Sequence, residues 1–421
     1  TLSSSSAASD VYKRQVLRTY KYRLYPTKKQ IKILDSWLET CRVLYNDSLA
    51  ERKENYEQKG LSLGYAQQNK QLTTLKKTDE SLQAVHSQVL QDVLRRLQKA
   101  FDNFFRRVKL GEQAGYPRFK GWKRYKSFTY PQSGFKVVDN KFLQLSKIGK
   151  VNIKLHRDIP QEGPIKTCSI KKDGEQWYAT FTVEFSRELP PPLTQVETAV
   201  GLDVGLEKLA TLSTGDKIAN PRWLQETEKQ LAREQRNLSR KKKGSKNRAK
   251  QKQKVARLHR KVRHQRQDFH HKLSRGLVDQ YDLLVFEDLR IKNMVRNHPL
   301  AKSISDASWG QLLLFTLYKA AEAGTRVETV NPNGTSQECS SCGQTVKKSL
   351  AARVHVCPHC GLILDRDHNA ALNILKRGLE QMSLTTKLST FFSTLGTSGR
   401  AWQSHSTGKA VKQEATLFKG W

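Results

Sequence analysis

The sequence predicts a multidomain chain with α+β and α/β parts, and three observations carry that reading. At 421 residues it is long for one core and suits two or three domains. Before residue 110 apolar residues recur at helical spacing. After residue 195 strand-like runs alternate with helical ones, which is the order of an α/β domain.

Taken in order, the first fifteen residues, TLSSSSAASDVYKRQ, lack an initiator Met, an apolar core and any periodicity. They do not read as a signal peptide and are expected to be a non-native leader, with the native chain starting near Val16. VLRTYKYRLYP (Val16–Pro26) alternates apolar and basic residues as a strand does. Pro26 stops it, and Thr27 with Gln30 makes the capping-box signature that opens a helix. Leu34, Trp37, Leu38, Cys41, Leu44 and Leu49 share that helix's apolar face, so Cys41 is expected in the core. A second long helix is marked by Leu82, Val89, Val93, Leu97, Phe101 and Phe105.

From Gly115 the pattern changes. GYPRFKGWKRYKSFTY interleaves Arg and Lys with six aromatic residues, from Tyr116 to Tyr130. Basic groups neutralise phosphates and aromatic faces stack on bases, while a barrel strand with ordinary aromatic packing is the competing reading. Short strands follow, with Asp173-Gly174 as a hairpin turn. LPPPL (Leu189–Leu193) reads as a domain boundary. Thr198–Asn220 reads as two strands joined by the turn STGD. A basic stretch then runs to about Ser274. Its thin apolar seam implies helix with a break at Gly244, and its charge suits a nucleic-acid backbone better than solvent alone. DLLVFEDL (Asp282–Leu289) looks like a buried strand. Ala307–Pro332 reads as a helix stopped by Gly324 and followed by a strand. From about Gly378 the chain is rich in Ser, Thr, Gly and Lys and is expected to be a loosely ordered tail.

Charge narrows the partner. Lys+Arg number 75 against 39 Asp+Glu, a formal net charge of +36. Such self-repulsion is tolerated when a polyanion neutralises it, so nucleic acid is the first partner to expect. A membrane span is not expected. The best apolar stretch, Leu312–Ala321, is amphipathic and too short to cross a bilayer.

Four of the six cysteines fall between Cys339 and Cys360. Cys339-x2-Cys342 and Cys357-x2-Cys360 form two knuckles, each followed by a glycine, Gly343 and Gly361, that allows the tight turn. Four thiolates fill a zinc tetrahedron and leave no open position, so the expected zinc is structural. His355 and His359 are not needed as ligands and are expected at the surface or beside the ligands.

Three carboxylates sit at the ends or centres of apolar runs: Asp203 in VGLDVG, Glu287 in VFEDL and Asp367 in LDRDHNAA. A carboxylate inside an apolar run is costly unless paired or metal-bound. Strand ends converge at one sheet edge, so the three are expected to form one cluster. Oxygen ligands suit Mg²⁺ or Mn²⁺.

These motifs resemble a known family. GLDVG, FEDL, the GTSQECSSCG…CPHCG ribbon and DRDHNAALNIL follow in the order seen in the TnpB/OrfB family, with YKYRLYPTKKQ and PRFKG near the front. That family is encoded by bacterial transposons and is related to type V CRISPR effector nucleases. The resemblance spans roughly residues 16 to 378. It implies a RuvC-like nuclease domain of RNase H fold (196–332 and 362–378) interrupted by a zinc ribbon (333–361). A β-barrel wedge domain (16–26 and 110–195) carrying a helical recognition lobe (27–109) would precede it, and 379–421 would be the tail.

By the same resemblance Asp203, Glu287 and Asp367 hold catalytic Mg²⁺ or Mn²⁺, with Asp365 and Asp288 as supporting neighbours. The implied activity is cleavage of double-stranded DNA guided by an RNA from the transposon end, in the bacterial cytoplasm at the nucleoid. An RNA-independent transposase and a non-catalytic zinc-ribbon regulator of transposition are the alternatives.

Overall fold

The computed structural model describes residues 16–394, except 123, 161, 162, 186–189, 194, 350 and 351, and gives side chains for residues 17–383. The expected leader and the last part of the expected tail lie outside the described residues. The chain forms two compact units, Thr1–Glu188 and Leu189–Trp421, divided at the LPPPL stretch.

The first unit starts with strand β1 (Val16–Tyr25) and helix α1 (Lys28–Lys59). Thr27 and Gln30 close the capping box, and Gly60 ends the helix at φ 63°. The apolar face of α1 buries Leu34, Trp37, Cys41 and Leu49. Helices α2 (Tyr65–Thr78), α3 (Glu80–Gln83) and α4 (Ser87–Lys109) follow, so the expected second long helix is broken before Ser87. Strands β2 (Ser127–Tyr130), β3 (Phe135–Val138), β4 (Phe142–Leu145), β5 (Gly149–Lys154), β6 (Ile165–Asp173) and β7 (Gln176–Phe185) complete the unit.

These strands make one sheet in the order β2-β6-β7-β1-β5-β4-β3. The first strand therefore sits mid-sheet, and the helices are an insertion between it and an edge strand. One core joins the layers: Trp37 of α1 packs its ring 5.4 Å from that of Phe128 of β2. The expected barrel is an open sheet among the described residues, because β2 and β3 are edges that do not pair. Helix α4 engages the β2 edge instead. Arg96 donates to the Ser127 carbonyl at 2.8 Å and to Thr129 Oγ1 at 2.6 Å, which covers groups that closure would need.

The basic, aromatic stretch from Gly115 is mostly outside strands. Tyr125, Phe128 and Tyr130 enter the core, whereas Tyr116, Phe119 and Trp122 stay exposed.

The second unit opens with β8 (Ala199–Val204), β9 (Lys208–Leu212) and β10 (Lys217–Ala219). These are three strands where two were expected, because Gly205–Glu207 interrupts the first run. Helices α5 (Trp223–Ser239) and α6 (Lys246–Gln280) carry the basic stretch, with Gly244 at φ 88° between them. Then come β11 (Leu283–Glu287), α7 (Ile291–Met294), α8 (His298–Ala307), α9 (Trp309–Ala323) and β12 (Arg326–Val330). The hairpin β13 (Val354–Val356) and β14 (Ile363–Asp365) leads into α10 (Arg366–Thr394).

The five-stranded sheet runs β10-β9-β8-β11-β12. Strands β8, β11 and β12 are parallel, and β9 is antiparallel to its neighbours. Alternation assigns the faces. Val200, Leu202, Leu284 and Phe286 pack with α6 and α9. Leu283 and Val285 pack with Ile374 of α10 on the other face. Helix α10 continues to Thr394 through part of the expected loose tail, since Met382 still packs against this second core. Among the described residues, no helix is long and apolar enough to cross a membrane.

Candidate metal centres

Register brings Asp203 and Glu287 together. In the parallel pair β8 and β11, Phe286 stands opposite Leu202, so the next residues, Asp203 and Glu287, lie side by side near the ends of their strands, where they still pair outward with Thr211 and Val330. They share the face that α10 covers, two residues beyond Gly201 and Val285. Two glycines let the helix lie close on that face. A Cβ at Gly201 would stand 2.3 Å from the Ala371 carbonyl oxygen, and one at Gly378 would stand 2.5 Å from a Val285 methyl. With the helix seated there, its first turn presents Asp367 to the strand ends.

The electrostatics follow from this crowding. Burial pushes the Asp203 carboxyl up to about 8, and the charges of Glu287 and Asp367 push it the same way, while Arg366 opposes them. Burial also raises Glu287, against the Thr335 hydroxyl and the charge of Arg377. Arg366 donates through Nη2 to Asp367 Oδ1 at 3.0 Å and through Nη1 to the Ala352 carbonyl at 3.2 Å. Three carboxylates held together against their own repulsion make an oxygen-donor set suited to a hard divalent cation.

Asp365 is engaged differently. Its Oδ1 accepts from the backbone N–H of Asp367 at 3.0 Å and of His368 at 3.1 Å, so it caps α10. Its Oδ2 pairs with Lys217 at 2.7 Å. Burial works to raise its carboxyl, but the Lys217 bond and the two backbone bonds hold it below the usual range. Asp288 is exposed, and its backbone N–H donates to the Val330 carbonyl.

Cys339, Cys342, Cys357 and Cys360 place all four sulfurs within 4.8 Å of one another. The Cys339–Cys360 and Cys342–Cys357 sulfurs are 3.6 Å apart. A zinc tetrahedron with ordinary Zn–S bonds needs sulfurs about 3.8 Å apart, so the set fits that ion. The two knuckles are built alike. Gly343 and Gly361 both adopt φ 76°, and their N–H groups donate to the carbonyls of Cys339 and Cys357. His359 is exposed. His355 is not at the surface: it is buried, with Nδ1 against Lys348 Nζ.

Several participants were not singled out from the sequence. Thr335 donates to Glu287 Oε1 at 2.7 Å. Asn369 and Asn373 of α10 hold the backbone before and within the first knuckle. Arg366, Lys217 and Arg377 supply the cations. Asn369, Asn373 and Arg377 carried a signal, their four-residue spacing on one helix face; that spacing says nothing of Thr335, Arg366 or Lys217.

Fold and side chains together define a two-unit chain whose second unit sets an acidic cluster at a strand edge beside a four-cysteine cluster. Comparison with known proteins places it more narrowly. A family model of the OrfB type described as "Probable transposase" matches residues 180–298. A "Cas12f1-like, TNB domain" matches 309–374, which includes the four cysteines. A "Helix-turn-helix domain" matches 16–60, where the structure has a strand and one continuous helix.

A Streptomyces pristinaespiralis protein, provisionally named an RNA-guided DNA endonuclease, is 38% identical over 376 residues, covering 87% of this chain and 90% of that protein. An Escherichia coli K12 protein provisionally named RNA-guided DNA endonuclease InsQ is 32% identical over 380 residues, covering 86% of this chain and 92% of its own. Among solved structures, a Cas12f1-sgRNA-target DNA complex shares the fold with TM-score 0.55 at 13% identity, covering 86% of this chain and 98% of that one. The chain belongs to the TnpB/OrfB family.

Proposed function

We propose that this chain is an RNA-guided DNA endonuclease that hydrolyses phosphodiester bonds at Asp203, Glu287 and Asp367. The observation that carries the chemistry is the convergence of three carboxylates: Asp203 and Glu287 are brought side by side by the β8–β11 register, and Asp367 in the first turn of α10 comes near enough for its charge to act on Asp203. Guidance by RNA rests on the family, whose relatives carry that name, and on a charge of +36 suited to backbone contacts along RNA and DNA. The sheet, with its parallel β8, β11 and β12 and antiparallel β9, supports a RuvC-like domain of RNase H fold. In that reading the open first sheet would stand for the wedge part and its helical insertion for the recognition part.

Asp203, Glu287 and Asp367 would hold Mg²⁺ or Mn²⁺, which supplies a nucleophile at neutral pH and neutralises charge on the scissile phosphate. The chain's own residues do the rest. Gly201 seats α10, Asp365 caps it, and Arg366 balances the acidic cluster between the strand ends and the Ala352 carbonyl. The four cysteines would hold structural zinc, and their ribbon would stiffen the segment that presents Asp367.

The test is to sequence RNA bound to the purified protein and to assay Asp203→Ala. A discrete transcript from the transposon end, with cleavage lost but RNA retained in Asp203→Ala, supports the reading. Cleavage of DNA by Asp203→Ala in Mg²⁺ sinks it. The description of the 180–298 match favours a second reading, an RNA-independent transposase on the same carboxylates. That reading predicts no discrete bound RNA and activity that survives ribonuclease.

A further inference from the structure

The loop that leads into the first knuckle reaches back to the carboxylates. Thr335 is 2% exposed. Its hydroxyl stands 2.7 Å from Glu287 Oε1 and 3.1 Å from the Pro332 carbonyl. One hydroxyl proton serves one acceptor at a time, and the nearer, charged oxygen is the stronger acceptor.

The backbone of that loop is fixed from the opposite side. Asn373 Nδ2 donates to the Thr335 carbonyl at 2.9 Å and to the Glu338 carbonyl at 2.7 Å. One turn earlier, Asn369 Nδ2 donates to the same Glu338 carbonyl at 2.8 Å, and its Oδ1 accepts from Ser340 N–H at 3.0 Å. Both asparagines are buried. One turn later, Arg377 donates to the carbonyls of Asn331 and Asn333, each at 2.8 Å. The helix whose first turn carries Asp367 therefore holds the loop that ends in Cys339, and the loop in turn holds Glu287.

A carboxylate with a fixed hydrogen-bond partner offers its remaining lone pairs in one orientation. Without that partner, Glu287 keeps its place on β11 but its carboxylate can rotate. Groups that orient metal ligands in this way typically change metal affinity by about 10–100-fold when removed.

We propose that Thr335 is a positioning residue: its hydroxyl orients Glu287 for a divalent cation, and Asn373 fixes the backbone that carries it. The inference rests on the reading of Glu287 as a cation ligand, and the experiment separates the two. Mn²⁺ is titrated into the full chain while free Mn²⁺ is followed by electron paramagnetic resonance, with Glu287→Gln as the reference for loss of the site. Zinc content is measured in every variant, so that damage to the knuckle is seen directly.

Thr335→Val and Thr335→Ala, which remove the hydroxyl with and without its bulk, are expected to weaken Mn²⁺ binding about 10–100-fold at unchanged zinc content. Thr335→Ser, which keeps the hydroxyl, is expected to bind Mn²⁺ like the parent, short of the about 10-fold loss that marks removal of the partner. If either hydroxyl-free variant binds Mn²⁺ as the parent does while Glu287→Gln does not, Thr335 has no positioning role and the cation reading stands. If Glu287→Gln binds Mn²⁺ like the parent, the cation reading of Glu287 falls and the inference falls with it.

Discussion

Gly201→Ala tests whether the seat of α10 sets the acidic cluster. The added methyl would meet the Ala371 carbonyl oxygen at 2.3 Å, the Leu375 nitrogen at 2.7 Å and Leu375 Cβ at 3.0 Å. Two of these three atoms are helix backbone, so no side chain can swing aside. Restoring ordinary contact, near 3.4 Å, means moving the helix by about 1 Å in a close-packed interior. Overpacking of this kind costs about 1–3 kcal/mol, and the rigid partner puts this site at the upper end. For a unit of this size that lowers Tm by roughly 6–12 °C.

The same displacement carries Asp367 away from Asp203 and Glu287. A 1 Å misplacement of a catalytic group costs about 10²-fold in rate. Thermal unfolding and single-turnover DNA cleavage read the two effects. A variant within about 0.5 kcal/mol of the parent and fully active would refute the claim that close contact at Gly201 places the third carboxylate.

Other predictions follow from the same geometry. Asp203 binds its proton more tightly folded than unfolded, so the cation-free chain should lose stability as pH rises from about 4 to 8 through this group. Asp203→Asn should flatten that dependence and raise cation-free stability at pH 7 by about 1–3 kcal/mol after allowance for the buried amide. Denaturant melts at several pH values check it, and an unchanged slope counts against the cluster. Asp365→Ala removes a cap and the partner of Lys217. It should cost about 0.5–2 kcal/mol and leave Mn²⁺ binding largely in place, whereas Asp367→Ala should abolish it; the reverse pattern would exchange their roles. Cys342→Ser should drop zinc from about one equivalent per chain toward zero, as measured by atomic emission, and retention of a full equivalent would contradict the four-thiolate site.

Much of this architecture was legible because it rests on local chemistry. The Thr27–Gln30 box, the Gly244 and Gly324 breaks and the paired Cys-x2-Cys knuckles each need only a few adjacent residues, and the structure has all of them. Sheet closure was not legible. Whether β2 meets β3 depends on long-range pairing, and Arg96 of α4, 31 positions from Ser127, engages that edge. The tail misled because Ser and Thr lower helix propensity, while packing of Met382 against the second core does not show in composition.

At the candidate site, acids within apolar runs were visible, but their surroundings were not. Thr335 lies 48 positions from Glu287, and only the fold brings them together. His355 was expected at the surface or beside the ligands, and its burial comes from the β13–β14 pairing opposite Leu364 and from Lys348.

The central claim is that RNA directs a carboxylate-centred cut, and one assay addresses it. The purified protein, stripped of its RNA and reloaded with a transcript of chosen sequence, is mixed with Mg²⁺ and two DNA duplexes, one matching the transcript and one not, both carrying the flanking sequence of a natural target. Cleavage confined to the matching duplex, and absent in Asp203→Ala, is the predicted result. Equal cleavage of both duplexes, or cutting that persists without RNA, would contradict the account.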